Sequence, residues 1–149
     1  MNMIPKRSFL FGGVAVLAAA LPLLVRAQSQ AQAPAVRNRA LFQVTDNDPA
    51  RWNMILNNMT NLREGVGSEG VELELVAYGP GINMLKKDSD VGPRLDEAAM
   101  EGVTISACQN TMKAQKLSEK DMHSSVAYVP AGVVEIIKKE KAGWAYIRP

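Results

Sequence analysis

A chain of 149 residues, 47% hydrophobic and 21% charged, has the material for one packed core and too ordinary a charge content for wholesale disorder. The formal net charge of +2 is uneven: Lys6, Arg7 and Arg26 lie in the first 27 residues, which hold no acid, so the other 14 cations face 15 acids, a net of −1. A near-neutral domain with scattered cations lacks the electrostatic footprint of a nucleic-acid binder.

Residues 1–27 have the physics of an export signal. Lys6 and Arg7 form a charged start, and Phe9 to Val25 is a run of apolar residues with Gly and one Pro. The run is short for a membrane span, and Gly12, Gly13 and Pro22 weaken it as a helix. Small residues at Val25-Arg26-Ala27 and Ser29-Gln30-Ala31 offer cleavage sites. Pro5-Lys6-Arg7-Ser8-Phe9-Leu10 resembles a twin-arginine (Tat) signal with lysine in the first arginine position, and Sec is the alternative route. Cleaved, or retained as an anchor that would be the only membrane contact, this segment implies the bacterial periplasm. Residues 28–38, polar and low in complexity around Pro34, read as a flexible linker.

The folded part is expected over 39–149. "RALFQVT" reads as a first strand. Asp48 is a helix N-cap candidate with Pro49 at the first helical position. Trp52, Ile55, Leu56, Met59 and Leu62 then fall at helical spacing, and Gly65, Gly67 and Gly70 mark the end of that helix. "VELELVAYG" is a second strand, in which Val71, Leu73, Leu75 and Ala77 alternate with Glu72, Glu74, Val76 and Tyr78. "GPGI" turns the chain sharply, and Ile82 to Lys86 makes a helical turn. "PRLDEAAMEG" reads as a helix with Leu95, Ala98 and Ala99 inward. "VTISA" is a β-branched third strand that Cys108 closes. "QNTMKAQKL" continues as a helix, and Ser118 to Asp121 has capping-box spacing. "SSVAYVP" is a fourth strand, "AGVVEIIKKEKAG" a helix with Val133, Val134, Ile136 and Ile137 apolar and Lys138, Lys139 and Lys141 at its end, and "WAYI" a last strand. Strands alternating with helices five times predict a single-domain α/β fold: an open, mostly parallel five-stranded sheet with helices on both faces.

In such sheets ligands collect at the carboxyl ends of the strands. Two segments reach that edge with unusual chemistry. One is Gly79-Pro80-Gly81, whose glycines permit close backbone approach or a turn with positive φ. The other is Cys108, the only cysteine, followed by Gln109, Asn110 and Thr111. A thiol just before a helix faces free N–H groups and the positive end of the helix dipole, which favour thiolate. A packed, inert strand-end cysteine is the competing interpretation. Likewise Gln109, Asn110 and Thr111 could hydrogen-bond a sulfur anion or simply cap the helix.

Other groups carry less. His123, the only histidine, reads as surface, interface or structural. Met112 and Met122 flank the Cys108–His123 region, and soft sulfur ligands suit Cu(I), but their spacing matches no metal motif. Met54, Met59, Met84 and Met100 read as core or near-core filling. Asp46-Asn47-Asp48 lacks the glycine and glutamate of a calcium loop. With neither GxGxxG nor P-loop, no nucleotide is supported, and neither a cofactor nor a resident metal is expected.

The folded part, about residues 38 to 149, resembles the DsrE family of small α/β proteins. The ordered set carries the resemblance: an apolar strand ending in Gly-Pro-Gly, Gly-Val before a strand ending in Ala-Cys-x-Asn-Thr, Pro-x-Gly-Val before the final helix, and a Gly-aromatic-x-Tyr-Ile ending. It implies the DsrE/YchN-like open sheet, assembly into homo-oligomers (trimers or hexamers), and a persulfide on Cys108 in a sulfur relay, acting as a carrier or transferase component more than as a turnover enzyme. Donor and acceptor are unnamed. The rival expectations are a strand-end cleft that binds a small ligand or Cu(I), and an interaction subunit using Tyr78, Ile82 and Met84.

Overall fold

The computed structural model describes residues 38–67 and 70–149; the expected export signal and nearly all of the linker lie outside them. Five strands, β1 (Asn38–Val44), β2 (Val71–Ala77), β3 (Thr104–Cys108), β4 (Ala127–Val129) and β5 (Ala145–Ile147), form one sheet in the order β4-β3-β2-β1-β5. Every strand pair is parallel, so the mostly parallel expectation becomes fully parallel. Asn38 already pairs with Val71, which moves the domain boundary one residue into the expected linker.

Among the described residues, four helices, α1 (Pro49–Val66), α2 (Gly92–Met100), α3 (Gln109–Ala114) and α4 (Gly132–Lys141), connect the strands, with a 3-10 segment at Gly79–Leu85 and another at Glu119–Asp121. The topology decides which face each helix covers. From β1 to β4 each crossover steps one strand in the same direction, and right-handed connections therefore leave α1, α2 and α3 on one face. The return from β4 to β5 runs the opposite way across the sheet, so α4 alone lands on the other face. Burial follows this division. Phe42, Val44, Leu75, Ala77, Ile105 and Ala107 pack under α1 to α3. Leu41 and Val76 pack against Ile136 of α4, flanked by Tyr78 and Trp144.

Local chemistry explains the ends. The Ala50 N–H donates to Asp48 Oδ1 (2.9 Å), Pro49 opens α1, and Gly67 closes it at φ +85°. Gly65 lies within the last turn and ends nothing. The Gly-Pro-Gly stretch does not precede a helical turn but is itself the start of the 3-10 segment. Gly81 is obligatory there: a Cβ would sit 2.4 Å from the Val44 carbonyl oxygen. Ser118 and Asp121 form the expected capping box, Asp121 Oδ2 accepting from the Ser118 N–H at 2.8 Å.

Several side-chain expectations are corrected. Met100 is 83% exposed and Met54 is exposed, because each lies off its helix's inward stripe; Met59 and Met84 are core. Ile82 and Met84, within the 3-10 segment, are fully buried and offer nothing to a partner. The helix after Cys108 stops at Ala114, and the fourth and fifth strands shrink to three residues each. On α4 only Ile136 and Gly132 are buried, while Val133, Val134 and Ile137 face outward.

Beneath α4 the sheet carries a buried carboxylate. Glu74, 1% exposed, accepts from Ser106 Oγ (2.7 Å), and its other oxygen lies 2.6 Å from Lys139 Nζ. Lys139 also stands 4.2 Å from the centroid of the Trp144 ring. Among the described residues, no helix is long and apolar enough to cross a membrane.

Candidate functional site

Cys108 ends β3 and serves as the N-cap of α3: the Thr111 N–H donates to Sγ at 3.4 Å. Its parity along the strand places it with Ser106, on the face that α4 covers. This is where adjacent connections part. The chain after β3 turns to one face, and the chain after β4 turns to the other. Such a switch point opens a crevice at the carboxyl ends of parallel strands. Cys108, paired with Val129, lies beside the Pro130-Ala131-Gly132 stretch that follows β4, and the two are tied by the Asn110 N–H donating to the Pro130 carbonyl (3.2 Å).

The residue is only 5% exposed, and burial alone would raise the thiol pKa. Hydrogen bonds from the Thr111 hydroxyl and from the Gly132, Thr111 and Asn110 N–H groups outweigh burial, so the pKa falls below its ordinary value. The Asn110 contribution is the weakest, because that N–H is shared with Pro130. Groups at the starts of two helices thus favour the thiolate.

The Gly79-Pro80-Gly81 loop supports this arrangement from below. The Gly79 N–H donates to Thr111 Oγ1 (3.0 Å), which leaves the Thr111 hydroxyl proton free for Sγ. Gln115 Nε2 donates to the Gly79 carbonyl (3.1 Å), so α3 grips Gly79 from both sides. Gly79 takes φ +54°, which favours glycine. The loop therefore acts through Thr111.

Of the expected sulfur-stabilising residues, Thr111 approaches Sγ by both hydroxyl and N–H, and Asn110 by its N–H. The Gln109 and Asn110 side chains are exposed. Met112 points into the core under the opposite face, with Met122, and His123 is held between Asp96 (3.6 Å) and the Ser125 N–H (3.4 Å). These placements explain all three residues by packing. Gly132 was not singled out from the sequence, although it is the glycine of the Pro-x-Gly-Val stretch. A Cβ there would lie 2.7 Å from Tyr78 Cδ1, so only glycine lets α4 settle close enough to aim its N–H at the sulfur.

The DsrE/DsrF-like family model matches residues 38–149, which is the whole domain. The chain belongs to the DsrE/DsrF-like family. Among solved structures, a protein of unknown function from Methanobacterium thermoautotrophicum, MTH1491, is 35% identical with a TM-score of 0.72, over 75% of this chain and 99% of that one. The ychN protein of E. coli shares the fold at 12% identity (TM-score 0.63, 76% and 99% covered). A conserved protein of unknown function from Bacteroides thetaiotaomicron, BT1422, does so at 14% (TM-score 0.64, 78% and 99% covered). No functionally curated protein matches the chain. The DsrE/DsrF-like domain thus places its single cysteine at the carboxyl end of β3, at the switch point of its connections.

Proposed function

We propose that this DsrE/DsrF-like protein carries sulfane sulfur as a persulfide on Cys108. The observation that carries the proposal is a largely buried sulfur seated as the N-cap of α3, where the Thr111 N–H donates to it at 3.4 Å, with the Thr111 hydroxyl and the Gly132 N–H of α4 adding to the lowering of its pKa. Thiolate is the attacking species in sulfur exchange, and donors that favour it make the thiol a readier nucleophile. In the loading step Cys108–S⁻ attacks the outer sulfur of R–S–SH. The S–S bond of the donor breaks, R–S⁻ leaves with the electron pair, and Cys108–S–SH remains. Unloading is the same exchange with an acceptor thiolate. The donors that hold a thiolate suit a persulfide anion equally well, since both place negative charge in the crevice.

The N-terminal segment supports a periplasmic setting. There a free thiol survives by being shielded, and Cys108 is shielded by α4. The outward Val133, Val134 and Ile137 support self-association as a trimer or hexamer; Val133→Asp with Ile137→Asp would then yield monomers in light scattering.

The test is intact mass measurement after polysulfide treatment, wild type beside Cys108→Ser. Wild type should gain the mass of one sulfur atom, removable by a reductant, and the variant should not. A folded wild type that gains nothing would end the sulfur-carrier proposal.

A further inference from the structure

Beside Cys108, on the face that α4 covers, the carboxyl ends of β2, β1 and β5 carry a row of polar side chains that the thiol's own donors do not use. Ala77 pairs with Ala107, so one step on brings Tyr78 alongside Cys108. Val44 pairs with Ala77, which sets Thr45 next to Tyr78. On the far strand Arg148 follows Ile147 and reaches back, its Nη2 lying 3.4 Å from Thr45 Oγ1. Tyr146 donates its hydroxyl proton to Gln43 Oε1, and Gln43, itself buried, also hydrogen-bonds Tyr78. Burial, then Tyr146, keeps the Tyr78 phenol protonated against the opposing pull of Arg148 and Gln43. It is therefore a donor at neutral pH. Arg148 has no acidic partner among the described residues. The row thus runs from a nucleophilic sulfur, past a phenol, to an uncompensated guanidinium.

We propose that Arg148 and Tyr78 form a recognition subsite for a sulfur donor whose leaving group carries negative charge, of the thiosulfate or inorganic polysulfide kind. The inference rests on the sulfur-carrier function and adds what selects the donor. Charge argues for an anion, because an unpaired arginine at a crevice edge is the side chain suited to oxyanions and other polyanions. Span argues for its size. Cys108 and Thr45 stand two strands apart, about 10 Å at the usual strand spacing. An in-line donor covers a similar length: a near-attack separation of about 3.5 Å, an S–S bond of about 2 Å, and a charge-assisted hydrogen bond of about 3 Å beyond the terminal oxygen or sulfur. Chemistry gives the subsite a task. With thiosulfate, Cys108–S⁻ attacks the outer sulfur, the S–S bond breaks, and sulfite leaves with the electron pair, giving Cys108–S–S⁻ with charge conserved. With polysulfide, the leaving group is a chain shorter by one sulfur. In both cases charge grows on the group that Arg148 and Tyr78 face, so their bonds strengthen as the reaction proceeds.

The experiment compares wild type, Arg148→Met and Arg148→Lys in two assays. The first measures alkylation of Cys108 by iodoacetate and by iodoacetamide, reagents of like size that differ in charge. The second measures persulfide formation from thiosulfate and from inorganic polysulfide by mass. Arg148→Met should lower the iodoacetate-to-iodoacetamide rate ratio and slow sulfur uptake by about tenfold or more, with Arg148→Lys in between. Because Arg148 is exposed, both variants should fold, and an unchanged iodoacetamide rate would show that the thiol itself is intact. A ratio and an uptake rate that Arg148→Met leaves unchanged would overturn the subsite. A ratio that falls while wild type takes no sulfur from either donor would support the anion subsite and sink the carrier function instead. The donor that loses more in Arg148→Met tells an oxyanion leaving group from a sulfur chain.

Discussion

Thr111→Val separates the hydroxyl's work from everything else the site does. Valine keeps the shape and the backbone N–H but removes the group that accepts from the Gly79 N–H at 3.0 Å and donates to Sγ. A hydrogen bond to a charged group contributes about 1.5–3 kcal/mol. With three N–H donors remaining, the lower end applies, and at about 1.4 kcal/mol per unit the thiol pKa should rise by about one unit. Below both pKa values the thiolate fraction then falls about tenfold, while the more basic thiolate gains roughly threefold in intrinsic reactivity, leaving alkylation about threefold slower. Above both values only the second effect survives, and the variant should react about threefold faster than wild type. The two rate profiles therefore cross. Stability should drop by about 2 kcal/mol, because the Gly79 N–H loses its partner in a partly buried place. Thiolate ultraviolet absorbance against pH reads the pKa, iodoacetamide rates read the crossing, and Thr111→Ser should return both toward wild type. If the Thr111→Val thiol titrated at the wild-type pH, the claim that this hydroxyl holds the sulfur anion would be wrong.

Gly132→Ala should raise the thiol pKa and cost about 1–3 kcal/mol, since a Cβ 2.7 Å from Tyr78 Cδ1 forces α4 or the ring aside; chemical denaturation and thiol titration check both. Cys108 makes folding pH-dependent with a defined sign. Its folded pKa lies below its unfolded one, so the stability it contributes is fully present above the unfolded value and lost as pH falls through the folded value. Wild type should therefore gain stability relative to Cys108→Ser as pH rises from the folded pKa to about 8.5–9, then level off, and parallel curves in denaturant titrations across that window would contradict it. Lys139→Met should lose about 3 kcal/mol by stranding the buried Glu74 carboxylate, and a second change, Glu74→Leu, should restore most of it in thermal unfolding.

The sheet was legible because its determinants are local. Alternation in Val71–Ala77, the Asp48-Pro49 start of α1 and the β-branched run before Cys108 each act within a few residues. What escaped was set by the far side of the fold. Glu74 reads as the polar half of an alternating strand, and only the return of α4 across the sheet buries it and supplies Lys139. Val133, Val134, Ile136 and Ile137 read alike as apolar positions of one helix, but α4 is the lone helix on its face and packs through Gly132 and Ile136 alone. Cys108 was visible as a thiol before a helix. That a second helix also aims an N–H at it was not, because the 23 residues between Cys108 and Gly132 in sequence are bridged only once β4 has paired with β3.

That last point bears on how burial and a lowered pKa coexist at Cys108. The six-residue α3 by itself offers a short dipole, the Thr111 hydroxyl and the N–H groups of Thr111 and Asn110, against the desolvation that a 5% exposed thiol suffers. A parallel sheet whose connections all ran to one face would leave it with those donors alone. The reversal after β4 sends α4 to the opposite face, so its first residue comes down on the sulfur. Gly132 removes the Cβ that would keep it away, and the Glu74–Lys139 pair fastens the helix's other end to the sheet. The closing of α4 over Cys108 then contributes to its burial and, beside the donors of α3, to its lowered pKa. A change anywhere along α4 that loosens its seat should expose Cys108 and raise its pKa together, whereas a surface change that spares the seat should do neither.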